Sequence, residues 1–163
     1  MTERQPRADR PGGSGLACRE VRPGHLSLAV PCSHPGCGRQ AALVELIASG
    51  TPHPDDAFLL RDVLEGGATG AMGQFILKDF TAPSFPNFSM PLSAAEFAEA
   101  ASAVRAADLV ALGALREGYV PFLCTRCELP YCGPHLDLQM FWDWGPDYWT
   151  GTCPRGHHHF IDH

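Results

Sequence analysis

Residues 122–135 read FLCTRCELPYCGPH, placing Cys124, Cys127, Cys132 and His135 close together in the chain. A reactive thiol, a disulfide pair or a metal site can each use such residues. Taken over the whole sequence, cysteines and nearby histidines fall into four pairs: Cys32/Cys37, Cys124/Cys127, Cys132/His135 and Cys153/His157. A closed structural zinc site takes four sulfur or nitrogen donors in a tetrahedron, so these eight residues fill two sites with none left over. The expectation is therefore two Zn2+ ions per chain. Of the seven cysteines only Cys18 is unplaced, and it reads as a small, half-buried side chain.

The spacings suit metal chemistry. Two residues between donors let both side chains reach one ion from a turn, and the turn's backbone amides can hydrogen-bond the thiolates. Cys153 and His157 frame a longer turn in which Pro154 and Gly156 supply the bend. Interleaved pairing is favoured over consecutive pairing: Cys124, Cys127, Cys153 and His157 on one ion, and Cys32, Cys37, Cys132 and His135 on the other. It ties the two halves of the chain together and avoids closing a whole site within 124–135. His34 is an alternative donor in place of Cys37. His158 and His159 read as residues of a closing strand, because HHHFID alternates.

Zinc is expected rather than disulfides because the chain reads as cytoplasmic, where thiols stay reduced. No stretch approaches the roughly 20 apolar residues that span a bilayer, and the N-terminus lacks a signal peptide's apolar run. The formal charge of −6 and the lack of a basic patch argue against nucleic acid. Arg4, Arg7, Arg10, Arg19 and Arg22 stand among glycines and prolines, a composition that suits a solvated tail.

Elements must carry these donors to one another. HLSLAVPC alternates Leu26, Leu28 and Val30 and predicts a strand, Pro35, Gly36 and Gly38 predict a turn, and AALVELIASG predicts a second strand. Asp55 and Asp56 open a predicted short helix to about Glu65. Gly66, Gly67, Gly70 and Gly73 read as a connection, since no phosphate-loop spacing accompanies them. QFILKDF is strand-like, and TAPSFPNFSMP reads as an ordered loop with Phe85, Phe88 and Met90 lying on the core. Ser93 and Glu96 form a capping box for an alanine-rich helix reaching about Glu117, with Phe97, Ala101, Val104, Leu112 and Leu115 near one face.

The fold class expected is α+β: small zinc-knuckle β-hairpins, zinc-ribbon or treble-clef-like, joined by a long alanine-rich helix. Residues 1–15 are expected to form a disordered tail. Residues 16–163 are a single zinc-stabilised domain, with an N-terminal knuckle half over 25–80, a linking helix over 93–117 and a C-terminal zinc half over 119–163.

The C-terminal third has C-x2-C, then YC-x2-H, an aromatic and acidic stretch, and GTCPRGH. It resembles a group of small uncharacterised bacterial proteins that end in a zinc-finger-like C-x2-C…YC-x2-HW…TCP-x-GH pattern. Members of that group carry an N-terminal cysteine pair followed by a strand, as PCSHPGCGRQAALVEL does here. Two departures stand out. Leu136 stands where tryptophan is usual, and the end reads Ile161-Asp162-His163. The resemblance implies zinc ligands and no substrate.

The function expected is a structural zinc-binding protein acting as a protein-interaction module. Trp142, Trp144, Tyr148 and Trp149 are the candidate anchors, since Trp and Tyr dominate binding hot spots, though the same rings can serve as core around small zinc hairpins. Asp143 and Asp147 are candidates for orienting histidine ligands. No catalytic residue is expected, because every donor pair looks complete and no hydrolase or deaminase motif appears. The alternatives are a metal-dependent hydrolase with a misassigned open site, using His34 or Asp143, and a nucleic-acid-binding zinc module.

Overall fold

A computed structural model describes residues 15–51, 73–78, 80, 88–116, 118–141 and 148–162. Its main body is a five-stranded antiparallel meander of β1 (Ala17–Arg22), β2 (His25–Pro31), β3 (Gln40–Ala48), β4 (Gly73–Lys78) and β5 (Phe88–Leu92), hydrogen-bonded in chain order. Period-two alternation sets its inner face. Leu26, Leu28 and Val30 of β2 stand opposite Leu46, Val44 and Ala42 of β3, and Phe75 and Leu77 of β4 continue the same face. All are buried. Helix α1 (Ala94–Arg105) lies across this sheet.

Its N-terminus is the predicted capping box. Ser93 Oγ accepts from the Glu96 amide at 3.3 Å, and Glu96 Oε2 accepts from the Ser93 amide at 2.8 Å. The helix packs close enough to β4 that a Cβ on Gly73 would strike the Phe97 ring, so a glycine is required where helix and sheet meet. Ala100, Ala101, Ala103 and Val104 are buried beneath it.

The long helix over 93–117 is not there. The structure is mainly antiparallel β, with two short helices in place of one connecting rod. The break follows from two adjacent residues: Ala107 adopts φ 52°, and Asp108 turns its carboxylate onto the Ala111 amide at 2.9 Å. Aspartate bonds its own local backbone more readily than it continues a helix. It thus caps a second helix, α2 (Leu109–Leu115), which carries Leu109 and Leu112 inward and leaves Leu115 at 39% exposure. Nor are the hairpins separate knuckles on either side of a linker, because the first belongs to the five-stranded sheet.

Within the five-stranded sheet, two strands were absent from the sequence reading. The arginine-rich stretch assigned to the tail supplies β1, which pairs with β2 as an edge strand, and FSMPL of the proline-rich segment pairs with β4 as β5. The helix predicted near 55–65, the glycines at 66, 67 and 70, Phe85 and most of the predicted tail lie outside the described residues.

The C-terminal part holds a two-stranded hairpin of β6 (Leu123–Cys124) and β7 (Leu129–Pro130), a 3-10 turn (Gly133–His135), and a three-stranded sheet of β8 (Gln139–Phe141), β9 (Tyr148–Thr152) and β10 (His158–Asp162). One hydrophobic cluster runs from Leu26 through Leu112, Phe122 and Leu136 to Ile161. Within it Tyr119 stacks on Phe75 with ring centroids 4.2 Å apart, joining the C-terminal part to the sheet. Among the described residues no helix is long and apolar enough to cross a membrane.

Candidate metal centres

The connection from β2 to β3 is a cysteine turn. Cys32 donates its amide to Arg39 O at 2.9 Å, Cys37 donates to His34 O at 3.1 Å, and Gly36 and Gly38 take positive φ. Ser33 donates to Pro130 O at 2.8 Å and so docks this turn on β7. Cys132 precedes the 3-10 turn, where Pro134 stands early and His135 ends it. These two turns place Cys32, Cys37, Cys132 and His135 together, with their donor atoms all within 4.8 Å of one another.

The second set is built the same way from the other turns. Cys124 ends β6, and the reversal through Arg126 and Glu128 (φ 53°) brings Cys127 beside it. Cys153 and His157 frame the β9–β10 reversal, closed by Cys153 N to His157 O at 3.0 Å and Gly156 N to Cys153 O at 2.8 Å. Cys124, Cys127, Cys153 and His157 again lie within 4.8 Å of one another. The pairs therefore interleave: first with third, second with fourth.

Each set has its donor atoms at the corners of a small polyhedron. In the first, Cys37 Sγ lies 3.8 Å from Cys132 Sγ, and His135 Nδ1 lies 3.5 Å from Cys32 Sγ and 3.2 Å from Cys132 Sγ. In the second, Cys127 Sγ lies 3.9 Å from Cys153 Sγ, and Cys124 Sγ lies 3.6 Å from His157 Nδ1. These sulfur separations exclude disulfides, whose bond is about 2.05 Å, and all seven cysteines are free. Two Cys3His clusters that can hold metal ions are thus present.

Packing the thiols this closely shifts their titration. Burial, with the neighbouring thiols, pushes Cys127 up to about 12 and Cys132 likewise to about 12. Thiols crowded in a low-dielectric site resist ionising together. Burial also acts on Cys37 and Cys153, but hydrogen bonds outweigh it and both are lowered, Cys37 by the Arg39 backbone first and Cys153 by the His157 backbone first. Burial, with His34 and Arg39 nearby, lowers His135, which favours the neutral ring a metal requires. Three thiolates around a divalent ion leave about one unit of negative charge. Arg39, Arg126 and Arg155, all exposed, stand in the turns that carry the cysteines and offset it.

His34, the alternative donor, lies outside both sets. Its ring stacks on His135 with centroids 3.9 Å apart and planes within 3°. Cys18 sits in β1 opposite Leu28, packed against the core. His158 and His159 are strand residues of β10, and His158 Nδ1 lies 3.1 Å from Thr152 Oγ1. Trp142, Asp143, Trp144 and Asp147 fall outside the described residues; Trp149 is half-buried against the core. Leu136, which replaces the tryptophan of the resembled pattern, is fully buried, and its carbonyl accepts from the Thr152 amide.

Sequence reasoning missed two contacts. Tyr131 is buried, and its hydroxyl lies 3.8 Å from Cys127 Sγ; burial raises its phenol above the ordinary value, so it keeps its proton. Away from the clusters, Glu45 is buried between His25 Nε2 at 3.0 Å and Lys78 Nζ at 2.9 Å. The only sequence signal for this trio was a charged residue inside an apolar strand, which demands partners.

The chain is thus an antiparallel β fold that carries two interleaved Cys3His clusters able to hold metal ions. The chain belongs to the DUF8328 family, a domain of unknown function, whose model matches residues 25–163. No curated protein and no solved structure matches it.

Proposed function

We propose that the protein is a structural zinc-binding protein that acts as a protein-interaction module. The observation that carries the zinc reading is the set of edge lengths. A tetrahedron with Zn–S of about 2.3 Å and Zn–N of about 2.0 Å has S···S edges of about 3.8 Å and S···N edges of about 3.5 Å. The corresponding separations are 3.8 and 3.9 Å between sulfurs, and 3.5, 3.6 and 3.2 Å from Cys32, Cys124 and Cys132 to the ring nitrogens, the last about 0.3 Å short of the ideal edge. Softness of the donors selects the same ion: three thiolates and an imidazole suit zinc rather than magnesium or calcium. Four protein donors complete a tetrahedron, so the sites serve as staples and the hydrolase reading is not pursued.

The interaction reading rests on the outer face of the C-terminal sheet. Phe141 stacks on Tyr148 at 5.2 Å, and Tyr148 on Phe160 at 5.9 Å, while Phe141 and Phe160 are 40% and 41% exposed. Aromatic rings aligned on a solvent face supply large contact area at low entropic cost when a partner covers them. Among the proposed anchors Tyr148 belongs to this face, and the zinc turn Cys153–His157 holds β9 and β10 in register beneath it.

Chelation tests the structural role. Removing zinc at neutral pH under reducing conditions is expected to collapse the dispersion of the amide NMR spectrum, and returning zinc to restore it. A metal-free chain that keeps its dispersed spectrum overturns the reading. For the surface, Phe141→Ala with Phe160→Ala is expected to abolish protein cross-links that the native chain forms in cell extract, with folding intact; retained cross-links overturn that part.

A further inference from the structure

Among the described residues, His34 and Tyr131 touch the clusters from outside, and they touch them differently. His34 lies flat on the ring of His135. Tyr131 points its hydroxyl at a sulfur, Cys127 Sγ, at 3.8 Å, from a side chain only 3% exposed. Its position is fixed at both ends. The Tyr131 amide donates to Phe122 O at 2.8 Å, and the next residue, Cys132, donates its amide to Cys32 Sγ at 3.4 Å in the other cluster. The backbone at 131 and 132 is thus anchored, and burial of the ring keeps the phenol at the sulfur.

We propose that Tyr131 is the positioning residue of the Cys124–Cys127–Cys153–His157 centre: its hydroxyl donates to the Cys127 thiolate and sets how fast that centre releases its ion. This rests on the zinc reading above. A bound thiolate carries charge that a hydrogen bond from O–H disperses, and such a bond is stronger when its acceptor is ionised and water is excluded. In the folded chain the phenol is held against that sulfur by its burial. Without it the Cys127 thiolate keeps more charge and is more readily protonated by water or captured by an incoming ligand. Release begins at that sulfur. The first centre takes its corresponding donation to Cys32 from a backbone amide, which no side-chain substitution at 131 removes.

The test uses the full-length, zinc-loaded chain and its Tyr131→Phe variant, which keeps the ring and loses only the hydroxyl. Excess EDTA is added with iodoacetamide, and mass spectrometry follows alkylation of each cysteine over time. Outer partners of metal ligands are typically worth 10–100-fold in affinity. Cys124, Cys127 and Cys153 of the variant are expected to become alkylated about tenfold faster or more, while Cys32, Cys37 and Cys132 stay within about twofold of the native rate. Equal acceleration of all six, or of none, overturns the proposal, the first because it marks general loosening of the fold. Tyr131→Leu separates hydroxyl from packing: if only the leucine variant is faster, the ring matters and the donor does not. Incorporation of 3-fluorotyrosine, a stronger donor, is expected to slow release from the same centre, and faster release contradicts the assignment. A native chain that binds no zinc overturns the zinc reading and this inference together; zinc retained without site selectivity overturns this inference alone.

Discussion

Replacing Cys32 by serine should weaken a part of the molecule far away in sequence, and the structure sets the size of the effect. An ion in the first centre joins Cys37 to Cys132, which are 95 positions apart. In the chain-entropy treatment of cross-links, closing a loop of about 100 residues is worth about 4.7 kcal/mol, against about 3 kcal/mol for a loop of 15. A metal clip constrains the unfolded chain in the same way. Loss of the first ion should therefore cost about 4–5 kcal/mol, or about 10–20 °C in melting temperature for a chain of this size. The loss should also be local. Ser33 would no longer be held to Pro130 O, and the amides of His135 and Leu136, which donate to Cys132 O at 2.8 and 3.2 Å, lie in the freed turn. Zinc content should fall from two ions to one, and hydrogen exchange should show protection lost over 130–136 before it is lost in α1. A variant that keeps one ion yet shows unchanged protection over 130–136 would refute the argument, as would one that keeps both ions.

Acid should strip the metal. A cysteine thiol ordinarily titrates at about 8.5 and binds metal as the thiolate, so at neutral pH binding at each centre must expel thiol protons. Affinity should then fall about tenfold per displaced proton for each pH unit lowered, as competition titrations would read, and stability from the metal should disappear as pH falls. Gly73→Ala places a Cβ against the Phe97 ring and 2.7 Å from Ile47 O; a loss of about 1–3 kcal/mol in urea unfolding is expected. Asp108→Ala removes the cap on the Ala111 amide and should cost about 1 kcal/mol by the same assay. Trp149→Ala should lower the melting temperature, since the ring packs on the core, but by less than the 3–5 kcal/mol typical of a fully buried tryptophan.

The make-up of the two Cys3His clusters was legible in the sequence because it is local and countable: each pair lies within one turn, and eight side chains divide into two fours. Interleaving was legible for a related reason, since a full set closed within 124–135 leaves little chain to wrap an ion. The strands carrying the first turn were equally plain, because Leu26, Leu28 and Val30 face a core that α1 covers. The long helix failed at Asp108. Alanine propensity on both sides read as continuous, while the side-chain bond that restarts the helix one turn later is a local competition that propensity does not register. Strand β1 was hidden by its arginines, tolerable at an edge with one side in water, and β5 by Pro91, also acceptable at an edge. Tyr131 could not be read at all. Its role depends on β6, β7 and the 3-10 turn bringing a phenol onto a sulfur, and nothing in the type or spacing of the residue announces it.

The central claim is that eight residues of this chain form two closed zinc sites. Zinc-edge X-ray absorption, with metal content measured on the same folded sample purified without a histidine tag, tests it most directly. Two zinc ions per chain are predicted, each with three sulfur neighbours at about 2.3 Å and one imidazole nitrogen at about 2.0 Å. A folded chain holding one ion or none, or a first coordination sphere containing water oxygen in place of a thiolate, would contradict it.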